Sequence, residues 1–128
     1  MRTKITTLSL VAVGLLVLSI PSFAHHGSAV FDTEKTVTVK GAVTEWVWAN
    51  PHCWLLVDAK DDDGNTVHWI IENQAPANIA NAGWSRSMFK PGDEVLVDVT
   101  PGKNLATAAR TIGRFKGRVV INGKVFKP

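Results

Sequence analysis

The sequence predicts a mainly β domain: a small OB-fold-like Greek-key barrel of about five strands, with one short helix between strands three and four, preceded by a signal peptide. Three observations carry that prediction. Val37, Val39, Gly41 and Val43 alternate with Thr36, Thr38, Lys40, Ala42 and Thr44, the period of two that marks a half-buried strand. Asp61-Asp62-Asp63-Gly64-Asn65 separates two further strand-like runs at hairpin length. A lone helical segment, opened by proline and closed by glycine, then falls before the fourth strand, and that insertion favours the barrel over a plain antiparallel sandwich.

In chain order, Met1-Arg2-Thr3-Lys4 is basic, Leu8 to Leu18 is apolar, and Ser22 and Ala24 are the small residues a signal peptidase reads. This pattern predicts a cleaved leader over 1–24 and a domain over 25–128. The apolar run is shorter than the roughly 20 residues of a spanning helix, so the mature chain is expected to be periplasmic or secreted, with no stable membrane insertion.

The second and third strands are expected at Cys53 to Lys60 and Thr66 to Glu72. A three-residue connection ending on left-handed Gly64 sets their register. Asp58 then faces His68, Leu56 faces Ile70 and Trp54 faces Glu72, while Cys53, Leu55, Val57, Val67, Trp69 and Ile71 form the apolar core face. The helix is expected within Gln74 to Trp84, two or three turns long, with Pro76 near its start and Gly83 at its end. The Lys90-Pro91-Gly92-Asp93 turn delivers a fourth strand, Glu94 to Thr100. A fifth strand within Ala108 to Phe115 and a terminal hairpin about Asn122-Gly123 complete the chain.

Removing Arg2 and Lys4 with the leader leaves 12 Lys and Arg against 11 Asp and Glu. That balance is no polycation, and in an exported protein it argues against nucleic acid as a partner. No acid follows Asp98, whereas seven bases do, which reads as two solvated faces of one domain. A single cysteine permits no internal disulfide, so stability must come from the core.

The mature start His25-His26, then Phe31-Asp32, Asn50-Pro51-His52, Trp69 and Glu72, Gly83-Trp84 and Lys90-Pro91-Gly92-Asp93 together resemble a family of small exported bacterial proteins of unknown function. Here Gly27-Ser28 replaces Ser-Phe after the double histidine. The resemblance covers nearly all of the mature chain and implies no established activity.

Cleavage after Ala24 makes His25 the N-terminus, offering its amine and imidazole to one metal ion. A further imidazole, from His52 or His26, completes a three-nitrogen set suited to copper(II). In ligand set, though not in fold, this resembles the copper brace of secreted copper proteins. The competing reading is a frayed terminus.

By strand parity His52, Trp54 and Glu72 share one outward face, and Trp46 and Trp48 join it if the first strand carries no bulge near Glu45. Exposed aromatics there make a platform for flat or sugar-like ligands; the alternative for each ring is core packing. Cys53 is expected inside as a small apolar residue, His68 with Asp58 as a cross-strand surface pair, and Asp61-Asp62-Asp63 as a solvated turn. No nucleophile elbow, zinc-protease helix or phosphate loop occurs. Only His52 with Glu72 forms a candidate acid-base pair, so no enzyme is expected.

Two functions follow. One is a non-enzymatic exported binding protein for a small ligand, with copper as the specific candidate through His25, His26 and His52, and Trp46, Trp48, Trp54 and Glu72 as the wider ligand face. The other is a cell-envelope interaction or assembly module that holds a partner protein on its tryptophan face without metal. A copper-dependent oxidoreductase is the remaining option.

Overall fold

The structure is a computed structural model that describes residues 30–103 and 110–127. The signal peptide, His25, His26 and the expected start of the fifth strand at Ala108 lie outside the described residues. Among the described residues six strands form one sheet: β1 (Val37–Val47), β2 (Trp54–Lys60), β3 (Thr66–Glu72), β4 (Glu94–Pro101), β5 (Arg110–Ile121) and β6 (Lys124–Phe126). Their order is β3-β2-β1-β4-β5-β6, and β3 also pairs with β5 in parallel. That last pairing closes five strands into a barrel and leaves β6 as an appended edge.

Helix α1 (Pro76–Ile79) sits between β3 and β4 and continues as a 3-10 turn over Ala80–Ala82. Proline occupies its first turn, where a missing N–H costs nothing, and Gly83 ends it at φ 89°. The expected two or three helical turns are therefore a single α turn plus a tighter one. Left-handed Gly83 caps the run there, its N–H donating to the Ala80 carbonyl.

The β2–β3 register matches the sequence expectation: Asp58 opposes His68, Leu56 opposes Ile70 and Trp54 opposes Glu72. Gly64 takes the left-handed conformation, φ 82°, and Asp61 Oδ1 accepts from the N–H groups of Asp63 and Asn65 at 3.0 and 2.8 Å. The inward face is the core. Leu55, Val57 and Ile71 from β2 and β3 meet Val39 and Val43 of β1, Val95, Val97 and Val99 of β4 and Val119 of β5, all at most 2% exposed.

One expectation changes, and one alternative left open by the sequence is decided. The fifth strand and the first arm of the terminal hairpin are one continuous strand, β5. It accommodates both β4 and the closure on β3 through an irregularity between the Val97–Val119 and Val99–Phe115 pairs. The first strand also bulges, its register shifting between Val43 and Glu45.

The turn before β4 is clamped on two sides. Asp93 Oδ2 accepts from the Lys90 N–H at 2.8 Å, and its Oδ1 accepts from Asn122 Nδ2 at 3.0 Å. Asn122 Oδ1 accepts in turn from the Glu94 N–H at 2.9 Å. The two bonds to Asp93, led by the one from Asn122, hold its carboxyl below the ordinary value of 3.8.

Two outcomes are expected. A side chain at Gly41 runs into the Asp58 carbonyl, whereas nothing lies within 4 Å of one at Gly117. Gly41→Ala should therefore lose roughly 1–3 kcal/mol in urea unfolding, and Gly117→Ala should change little or gain a few tenths. A depressed carboxyl contributes stability above its unfolded value and loses it as pH falls through the folded one. The stability advantage of wild type over Asp93→Asn should accordingly be full at neutral pH and shrink as unfolding is measured below about pH 3.8.

Candidate functional site

The ladder between β2 and β3 runs one step past the strands proper. The Cys53 N–H donates to the Gln74 carbonyl at 3.1 Å, and the Asn73 N–H donates to the Cys53 carbonyl at 2.8 Å. His52, just before this step and preceded by a cis Asn50–Pro51 peptide, is thereby held beside the end of β3. Alternation sends Cys53 inward, fully buried, and His52 outward.

His52 Nδ1 lies 2.6 Å from Glu72 Oε1. The other carboxylate oxygen, Oε2, accepts from Arg114 Nε at 2.9 Å and from Nη2 at 2.8 Å. Glu72 opposes Arg114 in the parallel β3–β5 register, so barrel closure itself builds this pair. Glu72 has the parity of the outward face but is only 7% exposed, because His52 and Arg114 cover it. The Arg114 guanidinium also stacks 4.2 Å from the centroid of the Phe31 ring. Phe31 is buried and bridges to Gly102.

The chemical consequence lies in the tautomer. A carboxylate paired to a guanidinium is an acceptor only, so the neutral imidazole places its hydrogen on Nδ1 and turns the Nε2 lone pair outward. Carboxylate-oriented imidazoles of this kind are the usual second shell of a metal-binding histidine. Trp54 flanks the ring at 6.0 Å between centroids. The cleft in front measures about 300 Å³ and is lined by His52, Glu72, Asn73, Gln74, Arg114 and Phe115. None of these lining residues supplies a hydroxyl or thiol.

The structure thus brings His52, Trp54 and Glu72 together. Trp46 and Trp48 do not join them, and the three-tryptophan face does not form. The bulge after Val43 sets Trp46 opposite Leu55, a core position. Its ring packs 5.0 Å from Phe89 and 6.2 Å from Trp84, and its indole N–H donates to the Ser85 carbonyl at 3.0 Å. Trp48 follows it onto the core, 5.9 Å from Trp46. Cys53 is inside as expected, and burial pushes its thiol up, which leaves it a poor thiolate ligand. His68 pairs with Asp58 across the strands, Nδ1 to Oδ1 at 2.5 Å.

Arg114 and Phe31 are the site residues that sequence reasoning missed as such. Arg114 stood only as one base among seven after Asp98, and its role depends on a parallel pairing that no local pattern announces.

A family profile matches residues 12–111. The chain belongs to DUF6152, a family of unknown function. Membership in DUF6152 supplies no activity, and nothing in the comparisons points to an enzyme. No curated protein and no solved structure matches the chain. Among the described residues, no helix is long and apolar enough to cross a membrane, and no group of three or more His, Cys, Asp or Glu is placed to hold a metal ion.

The His52–Glu72–Arg114 chain has a measurable signature. Arg114→Met leaves a buried carboxylate with His52 alone, and should cost about 2 kcal/mol, discounted for the partial exposure of the guanidinium. Adding Glu72→Gln to that variant should recover most of the loss in chemical denaturation.

Proposed function

We propose that this is an exported, non-enzymatic binding protein whose ligand is copper(II), held by Nε2 of His52 together with the amine and imidazole of His25 at the mature N-terminus. The observation that carries the reading is the 2.6 Å contact between His52 Nδ1 and Glu72, which presents the other ring nitrogen to the cleft. An all-nitrogen set of one amine and two imidazoles is matched to copper(II). His26 stands next to the same terminus as a further imidazole.

Chain reach supports the assembly. Phe31 lies against Arg114, which holds Glu72, which holds His52. His26 is four positions before Val30, a separation that spans up to about 14 Å of extended chain. The basic and apolar leader over 1–24, ending Ser22-Phe23-Ala24, is the reason for assigning export and for taking His25 as the start.

The test is direct. Protein beginning at His25 should bind copper(II) tightly by competition titration, with nitrogen couplings in its electron paramagnetic resonance spectrum. Acetylation of the His25 amine should weaken binding sharply, as should His52→Ala, while Glu72→Gln should weaken it about 10–100-fold. Equal affinity with the amine free and acetylated rules the amine out and with it the proposal.

A further inference from the structure

The barrel register builds a second polar cluster on the same outward face, independent of His52. Across β2, β3 and β5 the pairs align in rows. Asp58, His68 and Arg110 form one row, Leu56, Ile70 and Ile112 the next, and Trp54, Glu72 and Arg114 the third. Successive rows are two residues apart along each strand, about 6.6 Å. An apolar strip of half-buried side chains therefore runs between two charged ends.

The ends differ. Arg114 is spent on Glu72, whereas Arg110 is exposed and takes part in no ion pair among the described residues. The acid of its row is engaged by the intervening imidazole. Asp58 stands two strand spacings from Arg110, roughly 10 Å, and its Oδ1 is held by His68 Nδ1, with the imidazole row position between the two. Beside this guanidinium opens a cleft of about 260 Å³ lined by Thr44, Leu56, Asp58, His68, Trp69, Ile70 and Arg110. Thr44 arrives there because the β1 bulge falls between Val43 and Glu45, beside Leu56, adding a hydroxyl to the rim.

We propose that this groove is a binding site for a small monocarboxylate with an aromatic or short aliphatic body, its carboxylate on Arg110 and its body over Leu56 and Ile70. A planar guanidinium matches a carboxylate in a two-bond fork, and the adjoining strip supplies the apolar contact that a small-ligand site needs. Size agrees as well: an apolar cavity of about 150 Å³ accommodates benzene, so this cleft has room for a ring and its carboxylate. The site goes beyond the copper reading and does not rest on it.

Phenylacetate is a suitable probe, titrated calorimetrically into the protein, with 2-phenylacetamide as its uncharged counterpart. The carboxylate should bind saturably, and both replacing it by the amide and Arg110→Gln should weaken binding at least about tenfold. Ile70→Ser should weaken it too, with the fold checked by circular dichroism, while His52→Ala should leave it unchanged and so separate this site from the copper site. The proposal is overturned if phenylacetate gives no saturable binding up to about 10 mM. It is equally overturned if the amide binds as well as the acid, if Arg110→Gln has no effect, or if His52→Ala abolishes binding.

Discussion

Closure of the barrel is the constraint on which the rest depends. Without the parallel pairing of β3 with β5, the sheet would end in two open edges, and the valines of β1 and β4 would lack the opposing wall that buries them. The pairing also decides the polar chemistry. It sets Glu72 against Arg114 and His68 against Arg110, so a topological requirement of the core places one guanidinium at each end of the outward groove. Gly113, buried on β5 beside Trp69 and Val99, lets that closure be tight, since an added side chain would crowd both.

The two β1 faces owe their separation to one extra residue. Before the bulge, Val39 and Val43 point inward; after it, the inward positions pass to Trp46 and, beyond it, Trp48. These rings join Trp84 and Phe89 in a cluster beneath the segment that follows the helix, where they contribute apolar area and one indole hydrogen bond. The ligand face keeps Trp54 alone. A side chain that reads as a recognition element from its spacing is thus a packing element, and the division of labour costs the chain a single inserted residue.

Much of the fold was legible in local pattern. Alternation located the strands, Gly64 fixed the β2–β3 register to the residue, and Pro76 and Gly83 bracketed the helix. From the same register came the inward course of Cys53, the outward course of His52 and Trp54, and the His68–Asp58 pair. What stayed hidden was non-local. Nothing near Arg114 in sequence says that it will meet Glu72 across 42 positions, because parallel pairs leave no turn signature. The bulge was legible only as an open alternative near Glu45: threonine suits a regular strand as well as an irregular one, and the shifted register is what places the two tryptophans on the core.

The Phe31 contact bears on the order in which the chain becomes structured. Phe31 bridges to Gly102 and stacks on Arg114, partners more than 70 positions downstream, and the Asp32 N–H donates to the Pro101 carbonyl at 2.9 Å. During synthesis from the N-terminus this first described segment meets its partner on β4 only once Pro101 has been made and its partner on β5 later still, so loop-closure entropy makes it a late arrival in folding. Of the described residues, the first to be made are then among the last to be fastened, because what holds them lies on β4, at Gly102 and on β5.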